Sequence, residues 1–318
     1  MILSSCVFRK KTKNIYRRII MKRIVSLILV LCMTAVLFAA CGAKAQSYEL
    51  GIGMAVTANN AKLKYSATVA AVVVADGKIV DCRIDAMDIT ATIADGAVVK
   101  SSDFKSKAEL GDAYGMLSDY GSKLAEWDDQ AKFFENAVKG KTATEVAAIA
   151  TGDAALTAGC TIDVTDFVKA VVNAMNSTHK TAFSTADALT VGVAIDGSVS
   201  DKNGNASFAT NASAVVIAGG KVVAAVIDCA DGTLTIENGE GTALTYAGTK
   251  LEQGDNYNMV AYGNAISEWY VQAQVYANTA VGKTAAEVSS LATEGVAGCT
   301  IAVDGYKAVL VEAAQNAR

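Results

Sequence analysis

The chain has 318 residues, of which 52% are hydrophobic, and a formal net charge of −4. Eight of its 28 basic residues and none of its 32 acidic residues lie in residues 1–41, so the remainder has 20 basic and 32 acidic residues, a net charge of −12. This balance argues against a nucleic-acid-binding protein, which needs a basic surface, and disfavours electrostatic adhesion to anionic lipid.

The first 41 residues have the features of an exported lipoprotein. Met21-Lys22-Arg23 is a basic start, and the apolar run from Ile24 to Phe38 has signal-peptide length rather than membrane-span length. Leu37-Phe38-Ala39-Ala40-Cys41 then resembles a lipobox, with Cys41 as the lipidated first residue of the mature protein. A plain signal peptide cut nearby is the alternative. We expect an extracytoplasmic protein, lipid-anchored on the outer face of the bacterial cell membrane.

The remainder of the chain is one unit that occurs twice, at residues 48–176 and 187–316. Gly111-Asp112-x-Tyr114-x-Met116 recurs as Gly254-Asp255-x-Tyr257-x-Met259, and the other shared segments follow in the same order. Collinear matches over about 120 residues indicate a tandem duplication and two domains. The polar residues 177–186 between the copies are predicted to be a linker.

The first part of each unit is predicted to be β-structure. Residues 66–75 and 78–85 read as a hairpin whose Asp76-Gly77 turn supplies positive φ, and residues 212–218 and 221–228 repeat it around Gly219-Gly220. Outer strands are expected at 49–56, 91–99, 189–196 and 233–237.

The second part of each unit is predicted to be helical. Apolar residues three or four apart form a stripe in each copy. The stripe comprises Leu117, Tyr120, Leu124, Trp127, Ala131, Phe134 and Val138 in the first copy, and Tyr262, Ile266, Trp269, Ala273, Tyr276 and Ala280 in the second. The two tryptophans are therefore expected to pack in the core rather than stack on a ligand.

Glycines and capping boxes mark the later helix boundaries. Gly140 and Gly282 are placed to end the stripe helices in a left-handed cap. Thr142-x-x-Glu145 and Thr284-x-x-Glu287 are capping boxes that start short second helices. A last helix carries Phe167 and Val171 in the first copy, and Tyr306 and Val309 in the second. The predicted fold class is α+β, with an antiparallel sheet covered by helices on one side.

The cysteines leave two interpretations open. Cys82, Cys160, Cys229 and Cys299 lie beyond Cys41, and they are either bridged as 82–160 and 229–299 or present as buried free thiols. The single histidine, His179, lies in the predicted linker, and no Cys-x-x-Cys is present. A zinc site or histidine-based catalysis is not expected.

One segment recurs almost unchanged: Ala158-Gly159-Cys160-Thr161-Ile162 returns as Ala297-Gly298-Cys299-Thr300-Ile301. A glycine turn followed by a threonine before a helix start suits a phosphate, because free helix N–H groups and the helix dipole favour an anion. The alternative is structural, with glycine as a turn and threonine as a local cap.

The order of elements resembles the FMN-binding domain found in subunits of membrane redox pumps. Tandem copies on a lipoprotein resemble the flavin-carrying surface lipoproteins of Gram-positive extracellular electron transfer. In that family a Ser-Gly-Ala-Thr-like motif presents a threonine to which a separate transferase esterifies FMN through its phosphate. The resemblance implies Thr161 and Thr300 as attachment residues, with Gly159, Cys160, Gly298 and Cys299 beside them as cofactor-binding residues. The motif serine is Ala158 or Ala297 here, and the acidic residue three positions earlier is Ala155 or Glu294.

The resemblance implies a membrane-anchored FMN electron carrier whose partners are the membrane, through the lipid on Cys41, a membrane redox donor and a flavin transferase. The alternative is a surface lipoprotein of the same duplicated fold that carries no flavin and binds a ligand or partner. The sequence contains no paired-carboxylate motif, phosphate-binding loop or nucleophile elbow. A redox carrier or binding protein is therefore favoured over a turnover enzyme.

Overall fold

The computed structural model describes residues 44–318; the leader and the predicted lipidation residue Cys41 lie outside the described residues. Both repeats belong to one unit, Gln46–Arg318. This unit is α+β with antiparallel sheets, as the sequence predicted. Within residues 44–318, no helix is both long enough and apolar enough to cross a membrane.

Ten strands and nine α-helices make up the described part of the chain. The strands are β1 (Gln46–Asn59), β2 (Lys64–Ala75), β3 (Lys78–Thr90), β4 (Ile93–Ala94), β5 (Ala97–Val98), β6 (Thr181–Thr185), β7 (Leu189–Lys202), β8 (Asn205–Ala218), β9 (Lys221–Glu237) and β10 (Glu240–Tyr246). The helices are α1 (Lys107–Leu110), α2 (Trp127–Ala137), α3 (Ala143–Ala147), α4 (Thr165–Asn176), α5 (Lys250–Gln253), α6 (Met259–Gly263), α7 (Trp269–Asn278), α8 (Ala285–Val288) and α9 (Asp304–Gln315).

Each repeat contributes one four-stranded sheet, ordered β3-β2-β1-β6 in the first and β10-β9-β8-β7 in the second. Both predicted hairpins are confirmed. Asp76 and Gly77 have φ of 50° and 75°, and Gly219 and Gly220 have φ of 57° and 76°. Two consecutive residues with positive φ match the twist of a two-residue hairpin.

Three sequence expectations about strands were wrong. Residues 91–99 form only β4 and β5, because Asp95 and Gly96 adopt positive φ and turn the chain back at once. Residues 233–237 are the end of β9 rather than a separate strand. The predicted linker contains β6, which pairs with β1 and places Thr181 opposite Leu50. Its backbone groups satisfy an edge that β1 would otherwise expose.

The two sheets pack face to face, and helices cover the outer face of each. Along β2, Val69, Ala71 and Val73 contact the second sheet, whereas Ala70 and Val72 face the helices of their own repeat. The layers are therefore helix, sheet, sheet and helix. Because both faces of the central strands are covered, these strands are almost continuously apolar instead of alternating.

Tyr65 and Phe208 lie at the centre of the contact between the sheets. They hold equivalent places in the two repeats, yet their rings stack on each other, with centroids 5.1 Å apart and an angle of 12°. Both are fully buried, and the Tyr65 hydroxyl donates to the Ala230 carbonyl at 3.3 Å. The repeats therefore meet about a local two-fold axis and share one core.

The stripe helices begin later than predicted, at Trp127 in α2 and Trp269 in α7. We call the preceding segments the apolar loops (residues 115–125 and 258–267); the second of them contains the short helix α6 (Met259–Gly263). The left-handed residues Gly121 (φ 71°) and Asn264 (φ 50°) interrupt a helix there.

Later helical predictions were confirmed. Trp127 and Trp269 are buried, Gly140 and Gly282 have φ of 80° and 83°, and both capping boxes form.

Candidate functional site: the Gly-Cys-Thr loops

Thr161 and Thr300 lie on exposed loops at matching places in the two repeats. Each comes four residues before the first residue of the last helix, Thr165 of α4 or Asp304 of α9. The stripe helix of the same repeat runs beneath each loop. The two threonines therefore lie in the two outer helical layers, with both sheets between them.

A buried glutamine from the stripe helix holds each threonine. The Thr161 amide donates to Gln130 Oε1 at 2.9 Å, and the Thr161 hydroxyl donates to the same oxygen at 3.3 Å. In the second repeat, Gln272 Oε1 accepts from the Thr300 amide at 2.8 Å and from its hydroxyl at 3.0 Å. Both glutamines are completely buried. Because each hydroxyl donates to an amide oxygen, its own lone pairs remain available on the solvent side.

The same glutamines fasten the apolar loops next to the threonines. Gln130 Nε2 donates to the Ala125 carbonyl at 2.9 Å, and Gln272 Nε2 donates to the Ser267 carbonyl at 2.8 Å. One side chain therefore joins the threonine loop to the apolar loop in each repeat. We call the threonine, its glutamine and the adjoining apolar loop the threonine site.

Each apolar loop exposes three large hydrophobic side chains. Tyr120 is 68% exposed and Tyr262 is 88% exposed. The others are Leu117, Leu124, Val260 and Ile266. A glutamate holds the backbone of each apolar loop. Glu126, which is buried, accepts from the Met116 amide at 2.8 Å, and Glu268, which is half-buried, accepts from the Met259 amide at 2.8 Å. Ordered loops thus hold apolar groups in solvent, which is typical of binding surfaces.

The expectation of unpaired amides at the threonines was wrong. Their N–H groups already donate to glutamine, and α4 does not begin until Thr165. At that helix start, the Thr165 amide donates to Asp163 Oδ1 at 2.9 Å, so a carboxylate already occupies the anion position. The helix dipole of the first repeat is therefore satisfied from within the chain.

The cysteines are free in the described structure. Cys160 is buried, Cys299 is half-buried, and burial raises the pKa of both thiols. Cys82 and Cys229 lie inside β3 and β9, and Cys229 Sγ contacts Asn211 Oδ1 at 2.9 Å. A raised pKa keeps these thiols protonated and unreactive at neutral pH.

The covering of the two threonine loops differs. The Phe133 ring lies against Gly159, so closely that a side-chain carbon on Gly159 would sit 1.9 Å from Cδ2 of that ring. The equivalent residue in the second repeat is Val275, and a carbon added to Gly298 would lie 3.6 Å from its Cγ1. A cavity of about 530 Å³ lies beside Thr300, lined by Cys299, Glu294 and Val303 among others.

Two buried aspartates and the single histidine make structural contacts away from the threonine sites. Asp85 and Asp228 are buried; they accept from the amides of Ala108 and Leu251 and thereby cap α1 and α5. His179 packs against Tyr270, with ring centroids 4.4 Å apart and an angle of 42° between the rings. Among the described residues, no group of three or more His, Cys, Asp or Glu side chains is arranged to hold a metal.

Sequence reasoning missed Gln130 and Gln272. The available signal was their recurrence three residues after the shared Glu-Trp pair, as polar residues on the helix face that carries the apolar stripe. Comparison with protein-family models, curated proteins and solved structures yields no match for this chain.

Proposed function

We propose that this protein is a membrane-anchored, extracytoplasmic electron carrier that holds FMN by esterification to Thr161 and Thr300. The observation that supports this most directly is the repeated threonine site. In both repeats an exposed hydroxyl is held by a buried glutamine next to an ordered loop with exposed apolar side chains. We also propose that the fold of each repeat is similar to that of FMN-binding domains.

The residues fit FMN attached covalently at the threonine. An exposed hydroxyl can form the ester, and Gln130 or Gln272 keeps its bond to the threonine amide afterwards. Exposed apolar side chains of the loop can cover a planar ring, and the cavity beside Thr300 falls within the ligand-pocket range of about 300–1,000 Å³. The Thr300 amide is paired and no basic side chain lines that cavity, so the ester bond, and not an anion-binding group, would hold the phosphate of FMN.

Each part of the chain has a separate task in this proposal. The glutamine fixes the threonine backbone and orients its hydroxyl. The glutamate at the start of the stripe helix, Glu126 or Glu268, holds the apolar loop in place. FMN, when bound, supplies the one- and two-electron redox chemistry that these side chains lack. The lipid on Cys41 would keep the protein near a membrane redox donor.

Intact-mass measurement tests the proposal. Protein co-produced with a flavin transferase should carry one or two added FMN groups and absorb visible light. Thr161→Ala and Thr300→Ala should each remove the FMN of one repeat, and the double variant should carry none. Thr157→Ala changes an exposed threonine four residues before Thr161 and should leave the mass increment intact. An unmodified protein, in a host that modifies a control protein, would contradict the proposal.

A second candidate function is binding of a ligand or partner without flavin, and the exposed apolar loops favour it. In that case Tyr120→Ser and Tyr262→Ser would abolish partner capture by colourless protein, whereas Thr161→Ala and Thr300→Ala would not. The absorbance of purified protein separates the two candidates first.

A further inference from the structure

We infer that the residue covering the Gly-Cys-Thr loop decides which repeat accepts flavin, so that Val275 makes Thr300 the primary attachment site and Phe133 restrains Thr161. This inference rests on the proposed function. It concerns a position in the stripe helix, one turn beyond the glutamine, that touches the loop but forms no bond with the threonine.

In the first repeat, the aromatic ring of Phe133 covers the Gly-Cys-Thr loop at Gly159. Phe133 is half-buried and packs on the helix core of its own repeat, and its ring lies against Gly159. Moving the Gly159 backbone towards the ring, or inserting a second ring against Gly159, requires displacement of Phe133. That displacement exposes apolar surface and therefore costs free energy.

The second repeat has a smaller covering residue at the same place. Val275 lacks the ring, and Gly298 adopts a left-handed conformation with φ of 82°, whereas Gly159 does not have positive φ. A cavity of about 530 Å³ also lies beside Thr300; its lining comes from residues 293–303 and does not include Val275. Cys299 is correspondingly half-buried rather than buried. A planar group carried on Thr300 therefore has room next to its own attachment point.

The hydrogen bonds do not explain a difference between the repeats. Both threonines donate to a buried glutamine with amide distances of 2.9 and 2.8 Å. The covering residue is thus the main structural difference at the two loops, together with Glu294, which has Ala155 as its counterpart. Exchange of the covering residue leaves that acidic difference unchanged, so the two contributions can be separated.

Attachment requires an activated flavin phosphate. The threonine oxygen forms a bond to the phosphorus of the FMN unit, and the pyrophosphate bond of a flavin dinucleotide breaks. The nucleoside monophosphate leaves with the electron pair, and the hydroxyl proton passes to solvent. No electron is gained or lost in this step.

The experiment is a time course of the full-length protein with a flavin transferase and flavin adenine dinucleotide, read by peptide mass at Thr161 and Thr300. We expect the Thr300 peptide to gain FMN roughly tenfold faster, a ratio that corresponds to about 1.4 kcal/mol in activation free energy. Phe133→Val should bring Thr161 close to the rate of Thr300, and Val275→Phe should slow Thr300 by about the same factor.

The unchanged repeat in each variant reports on folding. Thr300 should load normally in Phe133→Val, and Thr161 should keep its slow rate in Val275→Phe. Equal rates in the wild type, or rates that both exchanges leave unaltered, would overturn the inference while leaving flavin attachment established. Absence of FMN from both threonines would overturn the proposed function and this inference together.

Discussion

The two repeats agree in how they hold a threonine and differ in how they finish their sheets and cover their loops. Gln130 and Gln272 make the same bonds, so this contact survived while its surroundings changed. In contrast, β6 lies along β1 in the first sheet, whereas the matching edge of β7 in the second has two isolated pairings, Arg318 with Val191 and Ser101 with Val199. Duplication thus separates what the unit requires from what each copy can vary.

The contact between the repeats should be the hardest part of the structure to alter. Tyr65→Ala removes a fully buried ring stacked on Phe208, and we expect a loss of about 3–5 kcal/mol in the free energy of unfolding. Because the sheets share a core, urea denaturation should show one transition for both repeats. Tyr262→Ala, at an exposed tyrosine, should change stability by less than about 0.5 kcal/mol. Two separate transitions would contradict a shared core.

Removing the glutamines tests whether the two threonine sites are equally built. Gln130→Leu and Gln272→Leu leave the threonine amide and the apolar loop carbonyl without their partner. Each should cost about 1–3 kcal/mol in the free energy of unfolding and speed hydrogen exchange at the Thr161 or Thr300 amide. Strongly unequal losses in the free energy of unfolding would mean that the glutamine contact stabilises the two repeats to different extents.

The smallest expected effect is the pH dependence that Glu312 gives to the free energy of unfolding. Its counterpart Asn173 donates to Glu252 at 3.0 Å, whereas Glu312 lies near the carboxylates of Glu109 and Asp85. Burial, reinforced by Glu109, Asp85 and Asp196, raises the pKa of Glu312 from 4.5 to about 7. Asp128, Lys132 and Arg318 line the same cleft.

A raised carboxyl pKa means that the protonated form is favoured in the folded protein. Its contribution to stability is complete below pH 4.5 and is lost as pH rises towards 7. Glu312→Asn introduces the residue found in the other repeat. It should reduce the pH-dependent loss in the free energy of unfolding by about 1 kcal/mol; this value is small because the side chain is only half-buried and solvent screens its charge. Glu237→Gln, at an exposed site, should keep the wild-type slope. An unchanged slope in Glu312→Asn would contradict the assignment.

Local signals in the sequence predicted local structure well. The Asp76-Gly77 turn and the Thr142 capping box depend on residues next to them in the chain, and both formed as predicted. The stripe from Leu117 to Leu124 misled, because its spacing suits a helix while Gly121 and the Glu126 contact hold a loop instead. A 3.6-residue period does not encode which carboxylate reaches which amide.

The sandwich of two sheets depends on contacts far apart in sequence. We predicted helices on one side of each sheet and did not predict that a second sheet would cover the other side, although the unbroken apolar run Val69–Val74 is typical of strands covered on both faces. Likewise, the threonine loops could be found by repetition alone. Their glutamine anchors and the exchange of Phe133 for Val275 became meaningful only when the stripe helices were placed under the loops.

The stacking of helix, sheet, sheet and helix determines from which sides another molecule can reach the two threonines. With layers about 10 Å apart, the outer layers that carry Thr161 and Thr300 are separated by roughly three such spacings, about 30 Å. The two threonines lie on opposite sides of the pair of sheets. A single flat surface on another macromolecule can therefore contact only one of the two threonines at a time.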